Sequence, residues 1–334
     1  MDFTELVDLA AERLGGAVLY ANDEFFAPKE NLLKQSAPVF IEGKYTDLGK
    51  WMDGWESRRR RTPGFDWCLI RLGLPGRLRG VIVDTSHFKG NYPEQCSIEA
   101  CTIDGHPDVE QLLSEQSEWT EVLPQSQLKG DSQNLFSIEN NERFTHLRLK
   151  IYPDGGVARL RVYGEVVPDR RRIRTAGEID LAAVENGGLV IACSDMFFGH
   201  RHNLIMPGRA LDMSDGWETK RRRGPGHDWT IIKLGSAGSI GRVEVDTAHF
   251  KGNFPESCSL EACDAVGQAL AGSGFDALAW KELLPRTRLQ AHTRHFFDEE
   301  LRGVGRVTHV RFNIYPDGGV SRLRLMGTIT EGES

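Results

Sequence analysis

The sequence predicts an all-β protein built as two tandem antiparallel sandwiches. Two observations carry that expectation. The first is duplication: VDTSHFKGNYPEQCSIEAC at Val83–Cys101 returns at Val245–Cys263, changed only at Ser86/Ala248, Tyr92/Phe254, Gln95/Ser257 and Ile98/Leu260. IYPDGGVARLR at Ile151–Arg161 likewise returns at Ile314–Arg324 with Ala158 replaced by Ser321. The second is the pattern between the repeats, many short apolar or alternating runs parted by glycine-rich loops. Regular strand–helix alternation is absent, which argues against a doubly wound sheet. A chain of 334 residues suits two domains, each able to bury a core. The expected domains are 1–169 and 170–334, parted in the polar run from Pro168 to Thr175. The period is too long for a solenoid.

Each copy is expected to open with a short helix. Asp2 and Glu5 have capping-box spacing before Leu6, Leu9, Ala10 and Leu14. Thr175 and Glu178 repeat it before Ile179, Ala182 and Ala183, and Gly15-Gly16 and Gly187-Gly188 stop the helices. Apolar starts follow at Ala17–Tyr20 and Leu189–Ala192. Buried strands are expected at Asp66–Leu72 and Asp228–Leu234, then at Arg79–Asp84 and Arg242–Asp246. Phe144–Tyr152 alternates, and Pro153-Asp154-Gly155-Gly156 reads as a hairpin turn into Val157–Tyr163, as does Pro316–Gly319 in the second copy. The copies align with an offset that falls by ten between Asn31/Asn203 and Asp53/Asp215, which puts an insertion in the Lys34–Met52 loop of the first copy.

Charge and cysteine usage exclude several classes. A net charge of −7 and a pI near 5.9 disfavour a dedicated nucleic-acid binder, although basic runs occur at Arg58–Arg61, Arg170–Arg172 and Arg221–Arg223. Those runs read either as solvated loops or as sites for a small anion. No stretch approaches the ~20 apolar residues of a membrane span, and no signal peptide is evident. The six cysteines do not form a disulfide framework. Cys96/Cys101 and Cys258/Cys263 lie five apart, on opposite faces of a strand, and read as buried free thiols in a reducing cytoplasm.

Two duplicated motifs carry the chemistry. DGWE, at Asp53–Glu56 and Asp215–Glu218, is a turn that a buried tryptophan can anchor, with an arginine run after it. It reads either as an internal ion-paired turn or as a carboxylate and guanidinium facing a small polar substrate. HFKGNxPE, at His87–Glu94 and His249–Glu256, gathers an imidazole, an ammonium, an amide and a carboxylate at a strand end. The bland account is a self-satisfied loop with His87 bonded to Asp84 and Asn91 capping a turn. Retention in both copies moves the balance toward function. No cofactor signature, GxSxG elbow or phosphate loop occurs. His200-Arg201-His202 belongs to the second copy alone, and no metal site is expected.

Taken together, these strings resemble the allantoicases (allantoate amidinohydrolases) over nearly the whole chain. The resemblance rests on Asn22–Phe26, Asn31-Leu32, DGWESRRRR, PGFDW, the long duplicated strings and their second-copy counterparts. It implies two jelly-roll domains, assembly into a homo-oligomer, and hydrolysis of allantoate to ureidoglycolate and urea in purine and allantoin breakdown. Chemistry then suggests the roles. Arg59 and Arg221 take the substrate carboxylate. Asn91 and Asn253, with Asp53 and Asp215, hold the ureido groups. His87 or His249 transfers a proton with Glu94 or Glu256 as partner. Lys89, Lys251, Glu56 and Glu218 complete the substrate-binding set. The extra His200, His202 and His227 tip the expectation toward a site using His249. The alternative is a tandem carbohydrate-binding protein, with Trp51, Trp55, Trp67, Trp217 and Trp229 as stacking platforms; a structural dimerisation module is a third reading.

Overall fold

One long strand organises each repeat. The computed structural model describes residues 2–169, 171, 173, 175, 177–265 and 272–330, the backbone alone at 272 and 273. In it the chain divides into two compact units, Met1–Val167 and Pro168–Ser334. The two strands expected at Asp66–Leu72 and Arg79–Asp84 are a single strand of 19 residues, Asp66–Asp84. Its first part pairs with Ala17–Ala21 and Phe144–Tyr152, its last part with Arg159–Val166 and Gln133–Ser137. The register shifts between these regions, where Phe144 meets Gly76 but His146 meets Arg71. One strand therefore serves both sheets of a sandwich. Gln95–Cys101 and Thr120–Gln127 extend the first sheet and Val7–Asp8 the second. Asp228–Asp246 plays the same part in the second repeat, with the same strand order. The fold is the expected all-β pair of jelly-roll sandwiches.

The inward faces explain the strand sequences. Val81, Val83, Leu147, Leu149, Leu160 and Val162 are all fully buried. Each such side chain contributes about 1.5–3 kcal/mol by leaving water. Cys96 and Cys101 lie on Gln95–Cys101, and Cys258 and Cys263 on its equivalent in the second repeat, Ser257–Cys263, all as buried free thiols.

Two local expectations are corrected. The opening segment is not one helix from Asp2 to Leu14. It is a 3-10 turn at Phe3–Glu5, a two-residue strand Val7–Asp8 and a second 3-10 turn at Glu12–Leu14. Val7 and Asp8 pair with Gly164 and Tyr163, and that sheet edge overrides helical spacing. In the second repeat Glu178–Asp180 is likewise a strand, followed by a 3-10 turn at Val184–Asn186. The stops are right: Gly15 and Gly187 cap the 3-10 turns in the left-handed region, at φ 95° and 93°.

The second correction concerns Pro153–Gly156. The flanking strands do not pair with each other; each pairs with a different part of Asp66–Asp84. The turn is a corner that carries the chain from one sheet to the other. Its polar groups are met from outside: Arg60 N–H donates to Asp154 Oδ2 at 2.8 Å, Ser57 N–H to Gly155 O at 3.2 Å, and Gly156 N–H to Asn91 O at 2.7 Å. The corner thus draws both chemical motifs to one end of the sandwich.

The insertion lies where the offset placed it. Val39 N–H donates to Asp53 and its equivalent, Leu211 N–H, to Asp215, across fourteen residues in one case and four in the other. The ten extra residues include a small hairpin, Tyr45–Thr46 against Gly49–Lys50.

Candidate active site

Glu56 is fixed by its backbone. Trp55–Glu56 pairs with Gly156–Val157 on one side, and Ala27 bridges to Glu56 on the other. The Trp55 ring is fully buried and its Nε1–H donates to Asp23 O at 2.8 Å. Asn31 Nδ2 donates to Gly54 O at 2.9 Å. The anchored turn expected from DGWE is therefore present, and it delivers a buried carboxyl. Burial raises the Glu56 pKa; the hydrogen bond donated by Asn91 Nδ2 to Oε1, at 2.7 Å, opposes this without cancelling it.

His87 is held in an uncommon conformation. Its φ is +70°, a left-handed backbone that side-chain-bearing residues seldom adopt, and His249 has the same value. The His87 N–H donates to Asp131 Oδ1 at 2.8 Å, and its ring Nε2 lies 3.2 Å from Pro38 O. A carbonyl only accepts, so Nε2 carries the proton and, in the neutral ring, Nδ1 is the basic nitrogen. The loop beneath is clamped by Phe88, fully buried against Gly156. A Cβ on Gly156 would stand 1.9 Å from that ring, so the position requires glycine. The self-satisfied loop is only partly what is found. Asp84 accepts from Ser86 N–H rather than from His87, and the Asn91 side chain turns to Glu56 rather than capping a turn.

These groups face one cavity of about 430 Å³ in the first repeat. Glu56, His87, Lys89 and Asn91 supply its polar wall, and Phe26, Phe40 and Met52 its apolar part. Lys50, from the inserted hairpin, adds a second cation and lies 4.6 Å above the Phe40 ring. Phe40 in turn sits 5.8 Å from the His87 ring. Sequence reasoning missed Phe26, Phe40, Lys50 and Met52. Three of the four belong to the inserted loop, which a search for residues shared by both copies passes over.

Other expected residues lie elsewhere. Asp53 is buried and bound by Arg159 at 2.7 Å, by Val39 N–H at 3.0 Å and by Lys34 at 3.5 Å. Burial works to raise its pKa, but Arg159, Val39 and Lys34 together hold the carboxyl below the usual range. Asp53 thus fastens the loop that presents Pro38 and Phe40, outside the cavity wall. Arg59 is exposed, between Arg58, which pairs with Asp23 at 2.7 Å, and Arg60, which pairs with buried Asp66 at 2.6 Å. Glu94 is exposed, and no hydrogen bond joins it to His87 among the described residues. Lys89, by contrast, belongs to the cavity wall, where it is exposed and lies 3.9 Å from Asp131.

The second repeat keeps the polar frame. Asn253 Nδ2 donates to Glu218 Oε1, and His249 Nε2 lies 3.0 Å from Ala210 O. His292 replaces Asp131, its Nδ1 accepting from His249 N–H at 2.7 Å. Asp215 pairs with Arg322 at 2.7 Å, while Arg221, Lys251 and Glu256 are exposed. The covering hairpin is replaced by the 3-10 turn Met213–Asp215. Phe198, the equivalent of Phe26, is 62 % exposed and Leu211 is 87 % exposed. The His200 and His202 rings lie 4.9 Å apart, and His227 Nε2 lies 3.2 Å from Asn313 Oδ1. No group of three or more potential metal ligands occurs among the described residues. Trp55 and Trp217 are fully buried, which removes two of the five rings proposed as sugar platforms.

Comparison with known proteins agrees with this organisation. A family model described as an allantoicase repeat matches residues 7–167 and again 179–330. A probable allantoicase from Photobacterium profundum is 50% identical over 99% of this chain and 99% of its own length. One from Pseudomonas aeruginosa is 50% identical over 98% of this chain and 97% of its own. The crystal structure of allantoicase from Saccharomyces cerevisiae superposes with a TM-score of 0.80 at 39% identity, covering 96% of this chain and 92% of that one. A further allantoicase structure gives a TM-score of 0.81, also at 39% identity.

Proposed function

The chain belongs to the allantoicase family, and on that premise we propose that its first repeat hydrolyses allantoate to ureidoglycolate and urea. The observation that carries the reading is the cavity where Glu56, His87, Asn91, Lys50 and Lys89 meet. Allantoate has one carboxylate and two ureido groups on a single carbon, so its site needs a cation, polar groups for the ureido ends, and a proton donor and acceptor. Lys50 and Lys89 supply positive charge for the carboxylate. Asn91, whose Nδ2 is engaged by Glu56, offers its Oδ1 to a ureido N–H.

Glu56 is the acid. Its raised pKa keeps more of the carboxyl protonated than an exposed glutamate would be. The carbon–nitrogen bond breaks, its electron pair stays on the leaving ureido nitrogen, and that nitrogen takes the Glu56 proton to become urea. The retained ureido nitrogen shares its lone pair with the carbon and gives its own proton to His87 Nδ1. Water then adds to the resulting carbon–nitrogen double bond. Its proton restores Glu56, and His87 returns its proton to nitrogen. One water is consumed, and both side chains end as they began. Asp53 acts at one remove, fastening the loop that supplies Pro38 O to His87.

A cytoplasmic homo-oligomer belongs to the same reading. The six free cysteines support a reducing compartment, and exposed Phe197 and Phe198 support association. The test is direct. Purified protein incubated with allantoate should release urea and ureidoglycolate one for one; no urea above the uncatalysed background would refute the reading.

A further inference from the structure

The second repeat stacks charge in two rungs on the sheet face turned away from its core. Arg322, Asp246 and Arg294 stand side by side across three strands, and Arg324 and Glu244 form the next rung. Residues two apart on a strand share a face, so all five project together. With Asp180, Glu185 and Arg209 they line a cavity of about 360 Å³. Most of these charges satisfy one another. Arg294 grips Glu244 at 2.7 and 3.0 Å, and Arg322 grips Asp215.

Three groups are left with weaker engagements. The Arg209 side chain is 66% exposed, and its Nε lies 3.8 Å from Asp246 Oδ2, beyond hydrogen-bond length. Asp246 is almost wholly buried; Ala248 N–H occupies its Oδ1 at 2.8 Å, and its Oδ2 faces Arg209. Asp180 Oδ2 is buried without a hydrogen bond, with Arg324 Nη1 3.6 Å away. Asp180 Oδ2 is shut off from solvent, whereas Asp246 Oδ2 wants a donor beside a guanidinium whose planar fork can take a carboxylate through two parallel bonds.

We propose that this cavity is a second ligand site, separate from the Glu56 cavity, for a small molecule bearing one carboxylate and ureido or amide N–H groups. The carboxylate meets Arg209, and a ureido or amide N–H meets Asp246 Oδ2. Four arginines balance four acids in the lining, so a ligand with a single negative charge meets no net repulsion. The site is peculiar to the second repeat. Arg13, Ala37, Ile82 and Gln133 occupy the positions equivalent to Glu185, Arg209, Glu244 and Arg294. Such a ligand resembles a substrate or product of the reaction proposed above, yet binding here does not depend on that reaction.

The experiment is calorimetric titration of the full chain with N-carbamoylglycine, a stable molecule with one carboxylate and one ureido group. Binding should persist in Glu56→Gln, weaken at least about tenfold in Arg209→Gln, and weaken less in Arg209→Lys, which keeps charge but loses the fork. Arg209 is exposed, so these changes leave the core alone. Undetectable binding to the unaltered protein, unchanged affinity in Arg209→Gln, or loss of all binding in Glu56→Gln would each overturn the proposal. Glycine binding as tightly as N-carbamoylglycine would overturn the ureido assignment in favour of an ammonium. Urea release from allantoate, followed separately, tells a failure of this site from a failure of the first repeat's reaction.

Discussion

The two repeats hold the same polar frame under different covers. Glu56–Asn91 and Glu218–Asn253 are the same pair, and His87 and His249 share a left-handed backbone and a carbonyl partner. Above the first pair stand Phe40, Lys50 and Met52 from the inserted loop; beside the second, Phe198 and Leu211 are exposed. Retention of a motif thus reports what the fold needs in order to hold those groups. Which side chains stand over those groups is decided by a loop that the motif does not contain.

The sharpest way to break this comparison is to remove each acid in turn. Glu56→Gln should lower kcat on allantoate by about a hundredfold or more, as expected for loss of a general acid. Glu218→Gln should stay within about threefold. Equal losses, read by initial rates of urea release, would mean that both repeats turn over. Next come the buried pairs. Asp53→Asn strands the Arg159 guanidinium, which is 1% exposed, and should cost about 3–5 kcal/mol in denaturant unfolding. Asp215→Asn should cost less, because the Asp215 side chain is 18% exposed and water can reach the site. The reverse order would show that exposure does not set the difference.

A loop exchange sharpens the comparison further. Replacing residues 40–52 by Asp-Met-Ser, the equivalent segment 212–214, should leave the sandwich folded, as the second repeat is with that loop. KM should rise about tenfold through lost apolar contact and a lost cation, with a smaller fall in kcat. An unchanged KM would remove the hairpin from substrate binding. The smallest effect is expected at the arginine runs. Arg59→Lys and Arg221→Lys should change kcat/KM by less than about twofold, since both side chains are exposed. A loss of about tenfold or more at Arg59 would return the substrate carboxylate to that residue and away from Lys50 and Lys89.

Particular residues show why some of this was legible in the sequence. Duplication exposed the two motifs, and glycine and tryptophan within them announced clamped loops. The corner at Pro153–Gly156 read as a hairpin because turn chemistry is local, while the choice of partner for each flanking strand is made by Asp66–Asp84. The opening segments read as helices because apolar spacing says nothing of a sheet edge waiting at Tyr163 and Gly164. Arg59 reads as the substrate-binding member of its run, although its neighbours, Arg58 and Arg60, are the ones that find acids. Arg159, the partner of Asp53, lies 106 residues away, and no spacing rule joins them. Phe40, Lys50 and Met52 sit in the insertion and have no counterpart for comparison.

The buried cysteines have a practical consequence for watching the two halves come apart. Burial pushes the thiols of Cys96 and Cys258 up to about 12 and those of Cys101 and Cys263 up to about 11, so near neutral pH they are protonated as well as sheltered. An alkylating reagent reacts with the thiolate, and it meets these sulfurs only when a strand opens. Each repeat therefore carries its own matched pair of clocks, on Gln95–Cys101 and on Ser257–Cys263. Half-buried Cys193 runs ahead of them as an internal reference. Timed labelling read by peptide mass would give the breathing rate of each repeat separately, with no cysteine introduced.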